Sequence, residues 1–382
     1  TIKVLKQDYP TPQELIRYKQ EYEIIRSLNF PEALVAYALE PYNRSLAIVT
    51  EDFGGKSLKE LYCGPKRLSL EEFLKIAIAT TDNLCKLHNA NIIHKDINPA
   101  NIVFNPETNQ LKIIDFGIST KLTRENPTLK NPNVLEGTLP YISPEQTGRM
   151  NRCIDYRSDF YGLGVTFYQL LAGQLPFESE DALELVHYHI AKQPLPPHQL
   201  NPEIPLTLSN IVMKLMAKTA EERYQTAWGI KADLETCLSQ WQTSGEISEF
   251  AIATQELNES FQIPQKLYGR QIEIESLLAG FERASQGQTE LMLVAGYSGI
   301  GKTSLVREIY KPITEKRGYF IAGKFEQFKR NIPYFAVVAA FRELVKQLLT
   351  ESNEELEVWR EKISAAVGVN GRVIIDVIPE VE

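Results

Sequence analysis

His94–Lys95–Asp96–Ile97–Asn98–Pro99–Ala100–Asn101 is the stretch that decides the reading of this chain, and Asp115–Phe116–Gly117 follows nineteen residues after Asp96. An aspartate, an asparagine five residues on, and a second aspartate at the end of an apolar segment (Leu111–Ile114) form a recognisable chemical set. Phosphoryl transfer asks little covalent work of a protein. It needs a positioned nucleophile, a group to take the hydroxyl proton, and cations across the phosphates. Asp96 suits the proton acceptor, and Asn101 and Asp115 are hard oxygen ligands suited to Mg²⁺.

Working outward, Ile2 and Val4 alternate in a strand pattern, and Thr11–Pro12–x–Glu14 opens a helix running to about Leu28 with a capping box and an N1 proline. Ser45–Thr50 reads as a strand. Ser69 with Glu72 is another capping box, opening a helix to about Asn89 whose Phe73, Ile76, Ala77 and Leu84 share one face. Short apolar segments follow at Ile92–Ile93, Ile102–Phe104 and Leu111–Ile114, and helical patterns dominate from Ser158 to about Trp241.

This set resembles the protein-kinase family. The catalytic loop resembles H-R-D-x-x-x-x-N, and Asp115–Phe116–Gly117 resembles D-F-G. Ile2–Lys3–Val4 resembles the third-strand lysine motif, and Glu21 lies in the next helix where the lysine's partner belongs. Ser143–Pro144–Glu145 resembles A-P-E, with Arg223 where an arginine pairs with that glutamate. Gly137–Thr138–Leu139–Pro140–Tyr141 resembles the substrate-binding loop of Ser/Thr kinases, and Asp159 with Gly164 the family's buried helix.

The resemblance spans about residues 1–240 and implies an α+β bilobal kinase fold with a truncated N-lobe. It implies ATP and Mg²⁺ as cofactors, Asp96 as catalytic proton acceptor, and Asn101 and Asp115 as metal ligands. Lys3 with Glu21 would position the α/β-phosphates, and Thr50 would take the gatekeeper position at the nucleotide. Read without the family, Lys3 is an ordinary strand lysine and Glu21 pairs with Arg17 one turn away.

Departures from the pattern shape further expectations. Lys95 replaces the arginine that grips an activation-segment phosphate, and a point charge replaces a fork. That argues against switching by phosphorylation, although Ser119, Thr120, Thr123 and Thr128 are available. Asn98 replaces a lysine that touches the γ-phosphate, which weakens charge stabilisation. Only two residues precede Lys3, so no glycine-rich loop covers the phosphates here, and this stretch alone is expected to phosphorylate poorly.

A second constellation is Gly296–Tyr297–Ser298–Gly299–Ile300–Gly301–Lys302–Thr303, which fits G-x-x-x-x-G-K-[ST]. An apolar run (Leu291–Ala295) leads in and a helix (Lys302–Tyr310) leads out. Glycines let backbone N–H groups curl around an anion. Gly296, Gly299 and Gly301 would form that cradle, Lys302 would reach the β/γ-phosphates, and Thr303 would hold Mg²⁺. Helix at Gln271–Ala284, strands at Leu291–Ala295 and Tyr319–Ala322, and helix at Tyr334–Leu349 predict an α/β P-loop domain over 267–382. It resembles an AAA-like ATPase, with Tyr268–Gly269–Arg270–Gln271–Ile272–Glu273 similar to the G-R-x-x-E box. Val373–Ile374–Ile375–Asp376 has a Walker-B shape but lacks a second acid, so the acidic strand is expected beyond Glu382 and the domain is read as C-terminally truncated. Polar residues 241–266 read as an interdomain linker.

Kinase followed by ATPase resembles large cyanobacterial-type signalling proteins, which implies downstream GAF and histidine-kinase domains. Length supports two to three domains at roughly 150 residues each. Composition is globular, at 43% hydrophobic and 24% charged. The longest apolar run, Tyr334–Phe341, is eight residues, too short for a membrane span. Four scattered cysteines make no C-x-x-C pair, so a reducing cytoplasm is expected. The 41 basic and 49 acidic side chains give −8, against general nucleic-acid binding. The partner expected is a protein carrying Ser or Thr. Two other readings stand beside this one: a weakly active scaffold, motivated by Lys95 and Asn98, and a small-molecule phosphotransferase, opposed by the Glu145–Arg223 pair.

Overall fold

The computed structural model describes residues 1–5, 10–42, 45–64, 68–121, 136–147, 154–256, 269–297, 299–309, 312–313, 316, 318–323, 325, 334–348, 353–368 and 371–378. The chain divides into two compact units. The first takes in 1–148, 152–178 and 193–266, and the second 149–151, 179–192 and 267–382.

The first unit opens with an antiparallel sheet in the order β1 (Ile2–Val4), β3 (Ser45–Thr50), β2 (Ala36–Tyr42). Lys3 stands opposite Ile48, and Leu39 faces Ile48 from the other side. Helix α1 (Pro12–Ser27) starts at the Thr11/Glu14 capping box as expected. It lays Tyr18 and Tyr22 on Ile48, four residues apart and therefore on one face. The Tyr18 hydroxyl donates to the Lys3 carbonyl, so the helix is fastened to the strand that carries the lysine. Strand β2 was not anticipated. Its residues are mostly exposed, so it lacks the apolar alternation that marks a half-buried strand.

The larger part of this unit is built around α4 (Arg157–Ala172), which is buried from Arg157 through Tyr168. Close approach explains its glycines. A Cβ on Gly162 would lie 2.9 Å from the Ile97 carbonyl oxygen, and one on Gly164 2.8 Å from Leu215 Cβ. Against it pack α3 (Leu70–Asn89) and α7 (Leu206–Leu215), with Phe73 meeting Phe167 edge-on at 5.5 Å, and α8 (Ala227–Ser244) packs on α3 and α7. Between these, α2 (Leu58–Tyr62) and α6 (Pro197–Leu200) are short. A second sheet, β4 (Lys56–Ser57), β6 (Ile102–Asn105), β7 (Gln110–Ile113), brackets the catalytic loop, and β5 (Ile92–Ile93) pairs with β8 (Thr120–Lys121).

The first part of the stretch read as linker is anchored. The α8 helix runs on to Ser244. Beyond it, Glu256 accepts from the Gln225 amide (3.0 Å) and the Thr226 hydroxyl (2.8 Å), and the Ala253 amide donates to Asp233 at 2.7 Å.

The second unit contains α5 (Ala182–Ala191), α9 (Gln271–Ser285), α10 (Lys302–Arg307), α11 (Phe335–Leu348), α12 (Asn353–Val367) and α13 (Gly371–Val377). The helices expected at 271–284 and 334–349 fall within a residue or two of their places. The stretches expected as strands, 291–295 and 319–322, join no ladder among the described residues, and Leu291 and Leu293 are exposed. A strand exists only through a partner that pairs with its N–H and C=O groups, whatever its side-chain pattern. Val373–Asp376 lies within α13, which removes it as an acidic strand.

Candidate active site and a second phosphate loop

Three separate elements bring charge to one point. The Lys3 ammonium on β1 donates to Glu21 Oε1 (2.7 Å) and Oε2 (2.9 Å) on α1, and to Asp115 Oδ1 (2.8 Å) at the end of the β7 segment. The Glu21 side chain is 3% exposed and the Lys3 side chain 39%. The pair is therefore buried on the glutamate's side and open on the lysine's. Glu21 chooses Lys3 rather than Arg17, its neighbour one turn back. Glu21 Oε1 also accepts the Phe116 amide at 3.2 Å, tying α1 to the Asp115–Phe116–Gly117 turn.

Burial opposes charge on all three groups, and the outcome differs by environment. Burial pushes the Glu21 carboxyl up, against the pull of Lys3. For Lys3, desolvation is outweighed by the two carboxylates, which hold the ammonium above its ordinary range. For Asp115, desolvation is outweighed by Lys3 and by the Gly117 amide, and the carboxyl sits below its ordinary range.

The catalytic loop is held in an uncommon conformation. Lys95 (φ 70°) and Asp115 (φ 66°) both occupy left-handed backbone, which a surrounding structure must enforce in non-glycine residues. At Lys95 the enforcement comes from Asp159 on α4, whose carboxylate accepts the His94 amide (2.9 Å) and the Lys95 amide (2.6 Å). His88 Nε2 adds a third bond to Asp159 at 2.8 Å. His94 Nε2 lies 3.0 Å from the Ile114 carbonyl, while its Nδ1 accepts the Asp96 amide at 3.3 Å. That pairing fits the Nε2–H tautomer. His94 therefore anchors the loop. The role of His88, by contrast, left no mark in the sequence.

Asp96 itself is fixed from two sides. Thr138 N–H donates to its Oδ1 (2.9 Å), and Asn101 Nδ2 donates to its Oδ2 (3.0 Å) and its carbonyl (2.9 Å). Asn101's side-chain nitrogen is thus directed at Asp96, and its side-chain carbonyl oxygen is the atom that could ligate a metal. The Asn101 backbone carbonyl accepts the Ile114 amide at 2.8 Å, so Asn101, just before β6, and Asp115, just after β7, lie at the same end of a paired hairpin. One neutral oxygen and one carboxylate held charged match the donors Mg²⁺ prefers when phosphates complete its shell. Asn98 Nδ2 donates to the Asp96 carbonyl (3.1 Å) and the Thr138 hydroxyl (3.3 Å), bracing the loop without supplying a cation. Thr50 ends β3, buried, with its amide on the Thr1 carbonyl at 2.9 Å. Arg223 makes a two-pronged bond to Glu145 (2.7 and 2.9 Å), fully buried, with Ser158 adding a third bond at 2.7 Å. Glu51 with Lys112 (2.6 Å) is a further half-hidden pair that spacing did not disclose.

In the second unit, Gly299 (φ 81°) and Gly301 (φ 89°) take the left-handed turns that curl the loop, and Gly301 caps α10. The Lys302 ammonium folds onto the Gly296 and Tyr297 carbonyls, both at 2.8 Å. Thr303 is exposed at the first turn, and Arg270 pairs with Glu273 at 3.1 Å on the surface.

Comparison with known proteins accords with this geometry. The family model described as protein kinase domain matches residues 1–235, and that described as AAA ATPase domain matches 266–380. The chain belongs to the protein kinase family, and its kinase domain is joined to an AAA ATPase domain. It is 40% identical over 263 residues to a Dictyostelium discoideum protein, hybrid signal transduction histidine kinase G. The match covers 64% of this chain and 8% of that one. It is 33% identical over 236 residues to serine/threonine-protein kinase PrkC of Bacillus subtilis (62% of this chain, 36% of that one). It is 30% identical over 238 residues to PknB of Mycobacterium tuberculosis (61% and 38%). The chain thus spans about a third of these bacterial kinases and under a tenth of the hybrid kinase. No helix among the described residues is long and apolar enough to cross a membrane.

Proposed function

We propose that the first unit transfers the γ-phosphoryl group of ATP to a serine or threonine hydroxyl of a protein. The observation that carries this is the convergence of Lys3, Glu21 and Asp115 beside an Asp96 held by Thr138 and Asn101. The substrate oxygen bonds to the γ-phosphorus, the bond from that phosphorus to the β–γ bridging oxygen breaks, and ADP leaves. The hydroxyl proton passes to the Asp96 carboxylate. Lys3, oriented by Glu21, neutralises the α/β-phosphates. Asn101 Oδ1 and Asp115 would hold Mg²⁺, which supplies charge neutralisation across the phosphates. Thr50 would line the adenine side of the cleft.

The similarity to PrkC and PknB, both named serine/threonine-protein kinases, supports the substrate class. The working boundaries are 1–240 for the kinase domain, 241–266 for a connecting segment and 267–382 for the ATPase domain. In that last domain Gly296, Gly299, Gly301, Lys302 and Thr303 would hold a second nucleotide with its Mg²⁺. The test is phosphorylation of a Ser/Thr peptide library by the complete parent protein, with the acceptor residue identified. Labelled phosphoserine or phosphothreonine that vanishes with Asp96→Asn supports the reading. Label on tyrosine, or label indifferent to Asp96, ends it.

A second reading has one observation in its favour. A neutral Asn98 occupies the place expected of a cation beside Thr138 and Asp96. In that reading the domain binds nucleotide and reports it to its partners. Nucleotide binding without any transfer, in the presence of Mg²⁺ and peptide, distinguishes it.

A further inference from the structure

Arg17 and Glu136 carry an inference that deepens the kinase reading and rests on it. Arg17 lies on α1 one turn before Glu21. Its guanidinium meets Glu136 Oε1 at 3.1 Å, across 119 residues of sequence. The Glu136 side chain is only 14% exposed and that of Arg17 is 54%, so the carboxylate is the fixed partner. Glu136 sits immediately before Gly137–Thr138, the segment whose amide grips Asp96. Its own carbonyl accepts Gln146 Nε2 (3.3 Å), and the same nitrogen donates to the Lys95 carbonyl at 2.7 Å. Gly137 is held at φ 119°, where a Cβ would come within 3.3 Å of the Lys95 carbonyl. One residue is therefore attached to α1 by its carboxylate, to the catalytic loop through Gln146, and to Asp96 through the chain that follows it.

The neighbouring cation does something else. The Lys95 ammonium, at the position where an arginine fork would receive a phosphate, bonds the Thr120 hydroxyl. A link from α1 to the substrate loop needs an anion on the loop's side, because the helix offers a guanidinium. Here the anion is encoded in the chain.

We propose that Glu136 is a built-in anionic positioning residue: its ion pair with Arg17 holds α1, and with it Glu21, in place over Asp96, so that transfer requires no phosphate added to the protein. The pair acts through Glu21 and Thr138 and touches neither nucleotide nor substrate.

The test is a charge-swap cycle in the complete protein, with peptide phosphorylation and hydrogen exchange of the α1 amides read together. Arg17→Glu and Glu136→Arg should each lower kcat roughly tenfold with peptide KM within about twofold, and the double swap should return kcat to within about threefold of wild type. Exchange of the α1 amides should rise in each single variant and fall back in the double. Glu136→Asp should retain most activity, and wild type treated with a broad-specificity phosphatase should keep its rate. The proposal is overturned if the single variants match wild type in both readouts. A double swap no better than either single, or dephosphorylation that silences the wild type, overturns it equally. If α1 exchange follows the cycle while wild type transfers no phosphate, the clamp stands and the kinase reading fails.

Discussion

The two phosphate-handling regions are assembled in opposite ways. In the first unit the charged cluster draws Lys3, Glu21 and Asp115 from a strand, a helix and a turn, with Lys3 and Asp115 separated by 112 residues. In the second, Lys302 bonds carbonyls five and six residues away within its own loop. The first site exists only where the fold is correct. The second is nearly complete as local backbone geometry, because two left-handed glycines and a following helix suffice to shape it. The difference predicts that the first site is vulnerable to changes far from it and the second chiefly to changes inside it.

The largest expected effect tests the chemistry of the first site. Asp96→Asn should lower peptide phosphorylation by about 10²–10⁴-fold, the range for losing a positioned general base, with an unchanged melting temperature. Lys3→Met should follow, at roughly 10²-fold or more, because it removes a preorganised charge and leaves Glu21 and Asp115 facing each other uncompensated. A melting curve that drops as far as the activity would show that Lys3 serves the fold instead.

Distant dependence is sharpened by the Glu145–Arg223 pair. Arg223→Ala leaves a buried carboxylate without its cation, the Ser158 hydroxyl remaining, and should cost about 3–5 kcal/mol of stability in denaturant titrations. The same pair has an acid limb. Burial pushes the Glu145 carboxyl up, but Arg223 outweighs it and the carboxyl lies below its ordinary range. Its stabilisation is therefore present above the ordinary carboxylate pKa and lost as pH falls through the depressed folded value. Glu145→Gln should flatten that acid limb; an unaltered pH profile would place the acid sensitivity elsewhere.

The smallest effect concerns the strap at 245–256. Ending a kinase-domain fragment at Ser244 instead of Glu256 removes the bonds from Gln225, Thr226 and Ala253. At about 0.5–1.5 kcal/mol for a typical hydrogen bond, the melting temperature should fall by a few degrees. Equal melting of the two fragments would show that the strap contributes nothing to the domain.

Local signals in the sequence translated well. Both capping boxes start helices where Thr11 and Ser69 stand, and the catalytic loop and Asp115 turn lie at strand ends as read. The Lys3–Glu21 pair was legible only through family spacing, since i,i+4 geometry alone pointed Glu21 to Arg17. What escaped was tertiary. Asp159 gathering two amides and His88, and Arg17 reaching Glu136, depend on chain folding across tens of residues. Strand β2 escaped because its exposed side chains carry no alternation. Leu291–Ala295 shows the converse, a strand-like composition with no partner to pair with among the described residues.

The central claim is that the first unit holds a self-contained phosphotransferase site, distinct from the phosphate loop of the second. The most direct measurement is transfer of labelled γ-phosphate to peptide by the complete protein, with wild type, Asp96→Ala and Lys302→Ala compared side by side. The account predicts label with wild type and Lys302→Ala and none with Asp96→Ala. Label that survives Asp96→Ala, or that disappears with Lys302→Ala, contradicts it.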